Sequence, residues 1–299
     1  MPRPAWDFFW DLDKFLRVIH CAAGSSGDLW SLIYVAVLRH VNNLRFVFLP
    51  CKKSSVSPSS SHNMPFLVLP ALIPDIRPVY DVYFSAFTAD PSGSRLLSIL
   101  FPNTDLTSED FRKVHAEGTL KWWHTSDTQY TFKCIDSESG KVVGMALCDV
   151  FAKPRTEAER QVPEVGWLSG PEKERAETVL LKLWGARERI WGGRSYIYIH
   201  AFAVDPEYQG LGAGSALIKA TIDLGNSTNL PIYLESSPEA EAVYAKKGFR
   251  RIPADIAEVV HEAAVLGTDF DVEVPLMVRL PRGGAIAKQS KVQQKDLRP

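Results

Sequence analysis

Residues 205–215 read DPEYQGLGAGS. An apolar run, Tyr196–Val204 (YIYIHAFAV), precedes them, and a helical pattern over 215–224 follows. Glycines at 210, 212 and 214 remove the side chains that would keep backbone amides from converging on a bound group. The N-terminus of the next helix adds unpaired N–H groups and the positive end of its dipole. A generic glycine-rich turn would account for the glycines alone. Strand before and helix after are what make this a pyrophosphate cradle.

Outward from this turn, the Tyr196–Val204 run is apolar on both of its alternating sets, which predicts a central strand covered on both faces. Downstream the pattern predicts a strand over 232–235, a helix over 238–247, a strand over 249–252 and a last strand over 271–280. Upstream, a strand over 66–69 precedes a helix with Val79, Val82, Tyr83 and Ala86 on one face. Thr107-Ser-Glu-Asp110 reads as a capping box, Thr107 at the cap and Asp110 at the third position, for a helix reaching Trp123. Strands over 130–135 and 141–151 flank Asp136-Ser-Glu-Ser-Gly140, a hairpin signal. After a loop over 152–170, Pro171 opens a helix whose Val179, Leu180, Leu183 and Trp184 make an apolar stripe, and Gly192-Gly193 stops it. Strands alternating with helices predict an α/β, more closely α+β, mixed-sheet architecture.

The chain has 299 residues, with 34 Lys and Arg against 35 Asp and Glu. A net charge of −1 gives no global field toward nucleic acid or an acidic membrane. Residues 1–63 read as an N-terminal extension ending in a Ser-rich linker over 52–63, residues 64–281 as the main domain, and residues 282–299 as a basic disordered tail. The compositional break at Met64 raises the possibility that the natural start lies there. Cys21, Cys51, Cys134 and Cys148 form no C-x-x-C pair and have no histidine couple at zinc spacing, so neither a metal site nor a disulfide framework is expected. The first residues are acidic and aromatic rather than basic and then apolar, which argues against a signal peptide. Arg39, His40 and Arg45 break the upstream apolar stretch short of the ~20 residues a membrane span needs. These features together predict a cytoplasmic protein.

Two nucleotide readings fit the cradle less well. A dinucleotide fingerprint needs glycine or alanine where Ser215 stands, although Glu235 lies at the distance of a ribose-binding acid. The upstream chain also lacks the regular βα units of a doubly wound sheet. A P-loop is excluded because no Gly-Lys-Ser/Thr follows.

Gln209-x-x-Gly212-x-Gly214 resembles the acyl-CoA pyrophosphate loop of the GNAT family of N-acetyltransferases. Phe202-Ala-Val-Asp-Pro206 is similar to that family's fourth strand and its Val-x-Pro turn, and Tyr244-Ala-Lys-Lys-Gly-Phe249 to its Tyr-x-x-x-Gly-Phe ending. The pattern looks most like fungal and bacterial members acting on small molecules. The resemblance implies a mixed sheet splayed between the fourth and fifth strands, with helices on both faces and the pantetheine arm of acetyl-CoA in the gap. It implies that Phe202, Ala203 and Val204 flank that arm, the Val204 amide polarising the thioester carbonyl. It implies that Gln209, Gly210, Leu211, Gly212, Ala213, Gly214 and Ser215 hold the pyrophosphate. Tyr244 matches the tyrosine that returns a proton to the CoA sulfur, a role open to a phenol with an ordinary pKa of ~10; packing in the core is the competing account. Ser237 stands where many relatives carry an asparagine on pantetheine, and it could instead cap the helix begun by Pro238.

The general base is left between Glu235, at the end of the fifth strand, and His200 on the central strand, with an ordered water as the third possibility. Imidazole ordinarily titrates in the useful range. Trp122, Trp123, Trp167, Trp184 and Trp191 either line an acceptor pocket or fill the core. The function expected is transfer of an acetyl group from acetyl-CoA to a primary amine, directly and without a metal. The amine belongs to a small molecule, or failing that to a protein lysine or N-terminus. A non-catalytic acyl-CoA-binding module and a nicotinamide-dependent oxidoreductase are the rival classes.

Overall fold

Asp136 and Gly140 close the hairpin that the sequence predicts: Gly140 sits at φ +71° and its N–H donates to the Asp136 carbonyl at 2.9 Å. The computed structural model describes residues 65–162 and 165–282. The expectations for 1–63 and for the tail beyond 282 lie outside the described residues.

Seven strands form one sheet in the order β1-β2-β3-β4-β5-β9-β6. They are β1 (Phe66–Pro70), β2 (Gln129–Asp136), β3 (Val142–Phe151), β4 (Tyr196–Val204), β5 (Ile232–Glu235), β6 (Arg250–Arg251) and β9 (Leu276–Arg279). Only β4 and β5 run parallel; the other neighbours are antiparallel. That is the mixed sheet expected, and not the doubly wound parallel sheet that the dinucleotide reading needs. The predicted last strand is two pieces. Val274 and Pro275 separate β8 (Val272–Glu273), which pairs with β7 (Val260–His261) in a ladder of its own, from β9.

Helices cover both faces. On one, α1 (Ile76–Ala89) buries Val79, Val82 and Ala86 against Ala201 and Ala203 of β4, with α3 (Glu109–Thr125) beside it. On the same face α4 (Gly170–Trp191) packs Ala186, Ile190 and Trp191 on Tyr196 and Tyr198. On the other face α5 (Ala213–Thr228) buries Ala213 and Leu217 against Ile197 and Ile199.

Several boundaries differ from expectation for local reasons. Ser108, not Thr107, caps α3, its hydroxyl accepting from the Phe111 N–H at 3.3 Å, while Thr107 bonds back to Asp105. α5 begins at Ala213, two residues earlier than predicted, because Gly212 provides its left-handed cap. The helix expected over 238–247 is shorter: residues 238–240 form a turn before α6 (Glu241–Lys246). An unpredicted helix, α2 (Pro91–Leu100), follows α1 directly, with proline at its first position and Asp90 Oδ2 accepting from the Gly93 N–H at 2.7 Å. A further single turn, α7 (Ala263–Leu266), lies between β7 and β8.

Gly93 sets how closely α2 folds back on α1. A Cβ there would stand 2.7 Å from the Phe87 carbonyl oxygen and 2.9 Å from its Cα, and backbone atoms have little freedom to retreat. Gly93→Ala is therefore expected to lower the unfolding free energy by about 1–3 kcal/mol through overpacking. Urea denaturation measures it, and an unshifted midpoint would show that α2 can lift away without cost.

Candidate functional site

Pairing between β4 and β5 stops at Ile199↔Leu234, whereas β4 stays paired to β3 as far as Gly144↔Val204. The last residues of β4 thus have a strand on one side only. The ladder with β3 steps from Cys148↔Ile199 to Leu147↔Ala201, which leaves His200 as the extra residue of a β-bulge. The bulge shifts the phase of the strand. Before it, the Ile197 N–H donates across to Pro231 beside β5, at 2.8 Å; beyond it, the Asp205 N–H donates to Val143 of β3, at 2.9 Å. Alternation then turns the peptide groups of Phe202 and Val204 into the gap and that of Ala203 toward β3. A cavity of about 620 Å³ follows the gap, with Phe202, Val204, Gln209, Ser237 and Tyr244 in its lining.

The cradle sits at the end of β4. Gly210 at φ +75° and Gly212 at φ +108° occupy backbone conformations that side chains disfavour. Gly214 is different: an added Cβ would meet nothing closer than Val204 Cγ2 at 3.6 Å, so no contact within the chain demands glycine there. The first hydrogen bond of α5 runs from the Ala216 N–H to the Gly212 carbonyl, which leaves the amides of Ala213, Gly214 and Ser215 ahead of any intrahelical acceptor. Gln209 Nε2 donates to the Val204 carbonyl at 3.2 Å and ties the loop to the strand end. Leu211 is 61% exposed at the loop tip. Lys247, which the sequence reading did not single out, donates to Ser215 Oγ at 3.3 Å and brings a cation to the helix start. Backbone donors, a helix N-terminus and a lysine together suit a diphosphate.

Tyr244 reaches the gap from α6, its ring edge-on to Phe202 at 6.3 Å and to Phe249 at 5.6 Å. Burial, and secondarily Cys148, push its phenol up to about 12, so it remains protonated at neutral pH. Ser237 Oγ accepts from the Ala240 N–H at 3.3 Å, capping the turn that precedes α6.

His200 and Glu235 both line the cavity, and each is already engaged. His200 Nε2 lies 2.5 Å from Asp149 Oδ2, and Thr128 Oγ1 donates to Asp149 Oδ1 at 2.7 Å. Burial alone would raise the Asp149 carboxyl; the hydrogen bond and charge of His200, with Thr128 and Arg187, outweigh it and hold the group below the usual carboxylate range. With the ring proton on Nε2 toward this carboxylate, Nδ1 keeps a lone pair. Glu235 Oε2 accepts from Tyr198 Oη at 2.5 Å, and Arg187 Nε stands 3.5 Å from Oε1. The Arg187 guanidinium covers the Tyr198 ring at 4.2 Å. Burial, then Glu235, lift the Tyr198 phenol far above its ordinary value.

Asp149, Arg187 and Tyr198 were not read from the sequence as site residues. The available signal was Asp149 itself, a carboxylate in an otherwise apolar strand. The tryptophans do not line this cavity. Trp191 stacks on Tyr196 at 4.6 Å in the core, Trp123 packs near α1, Trp184 lies under Arg187 and exposed Trp167 donates to the Leu100 carbonyl at 2.9 Å. Trp122 comes nearest the site, 6.5 Å from the His200 ring. Among the described residues no group of three or more His, Cys, Asp or Glu is placed to hold a metal ion.

The sequence profile of the Acetyltransferase (GNAT) family matches residues 95–249. A protein of Ajellomyces capsulatus named "Probable acyltransferase SID5" is 30% identical over 140 residues, which span 46% of this chain and 93% of that one. Among solved structures, mosquito arylalkylamine N-acetyltransferase like 5b aligns with a TM-score of 0.50 at 15% identity, over 72% of this chain and 99% of that one. The structure titled histone acetyltransferase HPA2 and related acetyltransferase, from Corynebacterium glutamicum, aligns with a TM-score of 0.48 at 22% identity, over 74% and 99%. The mosquito likeness is one of fold.

The Asp149–His200 contact has a measurable pH signature. A carboxyl depressed in the folded state adds stability above its unfolded value of ~3.9 and loses it as pH falls through the folded value. Asp149→Asn is expected to cost about 1–3 kcal/mol at neutral pH, and the difference from wild type should shrink at about pH 3. Urea denaturation at both pH values checks it; an equal difference at the two would remove the charged pairing.

Proposed function

The chain belongs to the Acetyltransferase (GNAT) family, and on that premise we propose that it moves an acetyl group from acetyl-CoA to a primary amine of a small molecule, directly and in a ternary complex. The observation that carries this reading is the freed edge of β4, where the peptide groups of Phe202 and Val204 turn into a gap that Tyr244 also enters. The residues present fit acetyl-CoA. The amides from Gln209 to Ser215, with Lys247, would hold its diphosphate, and Gly214 leaves open the approach that no residue of the chain itself uses. Phe202 and Val204 would pair with the pantetheine arm as a further strand does.

For the transfer, a C–N bond forms to the acceptor nitrogen and the thioester C–S bond breaks. The Val204 N–H is the donor aimed at the charge that builds on the carbonyl oxygen. His200 takes the proton that the amine gives up, through the nitrogen that Asp149 leaves free. Glu235 is the weaker candidate, because Tyr198 donates to its Oε2 and the Arg187 charge stands beside its Oε1. Tyr244 supplies the proton that the departing sulfur needs, and burial keeps that proton available.

Tyr244→Phe tests the enzyme against a non-catalytic binding module. It is expected to lower kcat by roughly tenfold or more while calorimetry finds acetyl-CoA affinity within about twofold of wild type. Unchanged turnover would dismiss the role. Titration with acetyl-CoA and NADH in parallel should show binding of the first alone, and NADH binding alone would revive the oxidoreductase.

A further inference from the structure

Beyond His200 and Glu235 the cavity extends along the α1 and α4 side of the sheet, where Leu96 and Leu100 of α2, Leu180 and Leu183 of α4, Leu266 and Val272 wall it. The cradle lies across the sheet, since α5 packs on the opposite face of β4. A group bound at this far end is therefore acceptor, not diphosphate.

The charged groups of the cavity are unequally satisfied. Asp90 accepts from the Gly93 N–H, Glu235 meets Tyr198 and Arg187, and His200 meets Asp149. Two others have no partner. Arg95 is partly buried on α2, and its guanidinium makes no hydrogen bond or ion pair with a described residue. His261, on β7, is 4% exposed and bonds through neither ring nitrogen, with Nδ1 sealed from solvent. Burial, then Lys182, hold His261 below the usual histidine range, so its ring is neutral. Placing the ring proton on Nε2 leaves only a lone pair in the sealed position and makes Nε2 a donor to a ligand oxygen. A guanidinium and a neutral N–H donor, both without partners in the same cavity, are complementary to a carboxylate, which can accept from each.

We propose that the acceptor is an amine that also carries a carboxylate, an amino acid or a close analogue, and that Arg95 and His261 hold the carboxylate while the amine faces His200. This rests on the acyl-transfer reading of the same cavity. The product would be an N-acylated amino acid.

The experiment compares kcat/KM, by thiol release from acetyl-CoA, for hexylamine against 6-aminohexanoate and for phenethylamine against phenylalanine. The full chain is assayed as wild type, Arg95→Gln, Arg95→Lys, His261→Phe and His261→Gln, each checked for folding by thermal melt. Wild type is expected to favour the carboxylate member of at least one pair by roughly tenfold, mainly through KM. Arg95→Gln and His261→Phe should each erase most of that ratio, while Arg95→Lys and His261→Gln keep part of it. Preference for the plain amines, or a ratio that survives both Arg95→Gln and His261→Phe, overturns the proposal and leaves the acyltransferase standing. If wild type turns over none of the four, calorimetry separates the two readings: absence of acetyl-CoA binding fails the acyl-transfer reading and the proposal with it. Where acetyl-CoA binds, 6-aminohexanoate and phenylalanine are titrated into CoA-loaded protein: binding lost in Arg95→Gln upholds the carboxylate site, and no binding ends it.

Discussion

A single extra residue in β4 governs the geometry of the site. Without the bulge at His200, strict alternation would turn the peptide groups of Ala201 and Ala203 toward the gap and bury those of Phe202 and Val204 against β3. The side chains would exchange faces too, pushing Phe202 and Val204 among the packing residues of α1 and the two alanines toward α5. With the bulge, small side chains meet the closely packed α1 and large ones meet α5 and Tyr244. One backbone irregularity therefore sets the hydrogen-bonding edge, the packing of two faces and the presentation of His200.

The strand–turn–helix geometry around 204–213 was legible because it is local. Glycines at 210, 212 and 214 between a strand and a helix carry their meaning within a few residues, and the two strained ones have the positive φ that glycine permits. The β2–β3 hairpin and the core strand were legible for the same reason. What escaped depends on distance along the chain. An apolar alternation in β4 reads identically with or without a bulge, since both of its sets are apolar. Asp149 acquires a role only when β3 places it beside His200, and Arg187 only when α4 lies over Tyr198. Other misses were readable: Asp90-Pro91 is a helix start, and Pro275 interrupts a strand. For the tryptophans the sequence left pocket lining and core packing open, and the structure sides mostly with the core.

The partnerships around the two candidate bases also differ in physical kind. Glu235 and Arg187 form a largely buried ion pair roofed by aromatic rings, and losing either partner would strand a charge in a poorly solvated place. The Asp149–His200 pair keeps one carboxylate deep and leaves a ring nitrogen unspoken for, which is what the proposed base requires.

The sheet itself is a partition. The proposed diphosphate site lies at the start of α5 on one side, while α2 and the small β7–β8 ladder shape the other. Side-chain changes in the second group need not pass through the packing of the first. Under the proposed function the two halves would thus be free to drift at different rates: a donor half restrained by a ligand shared with many enzymes, and an acceptor wall that could be rebuilt around a new metabolite without dismantling the other.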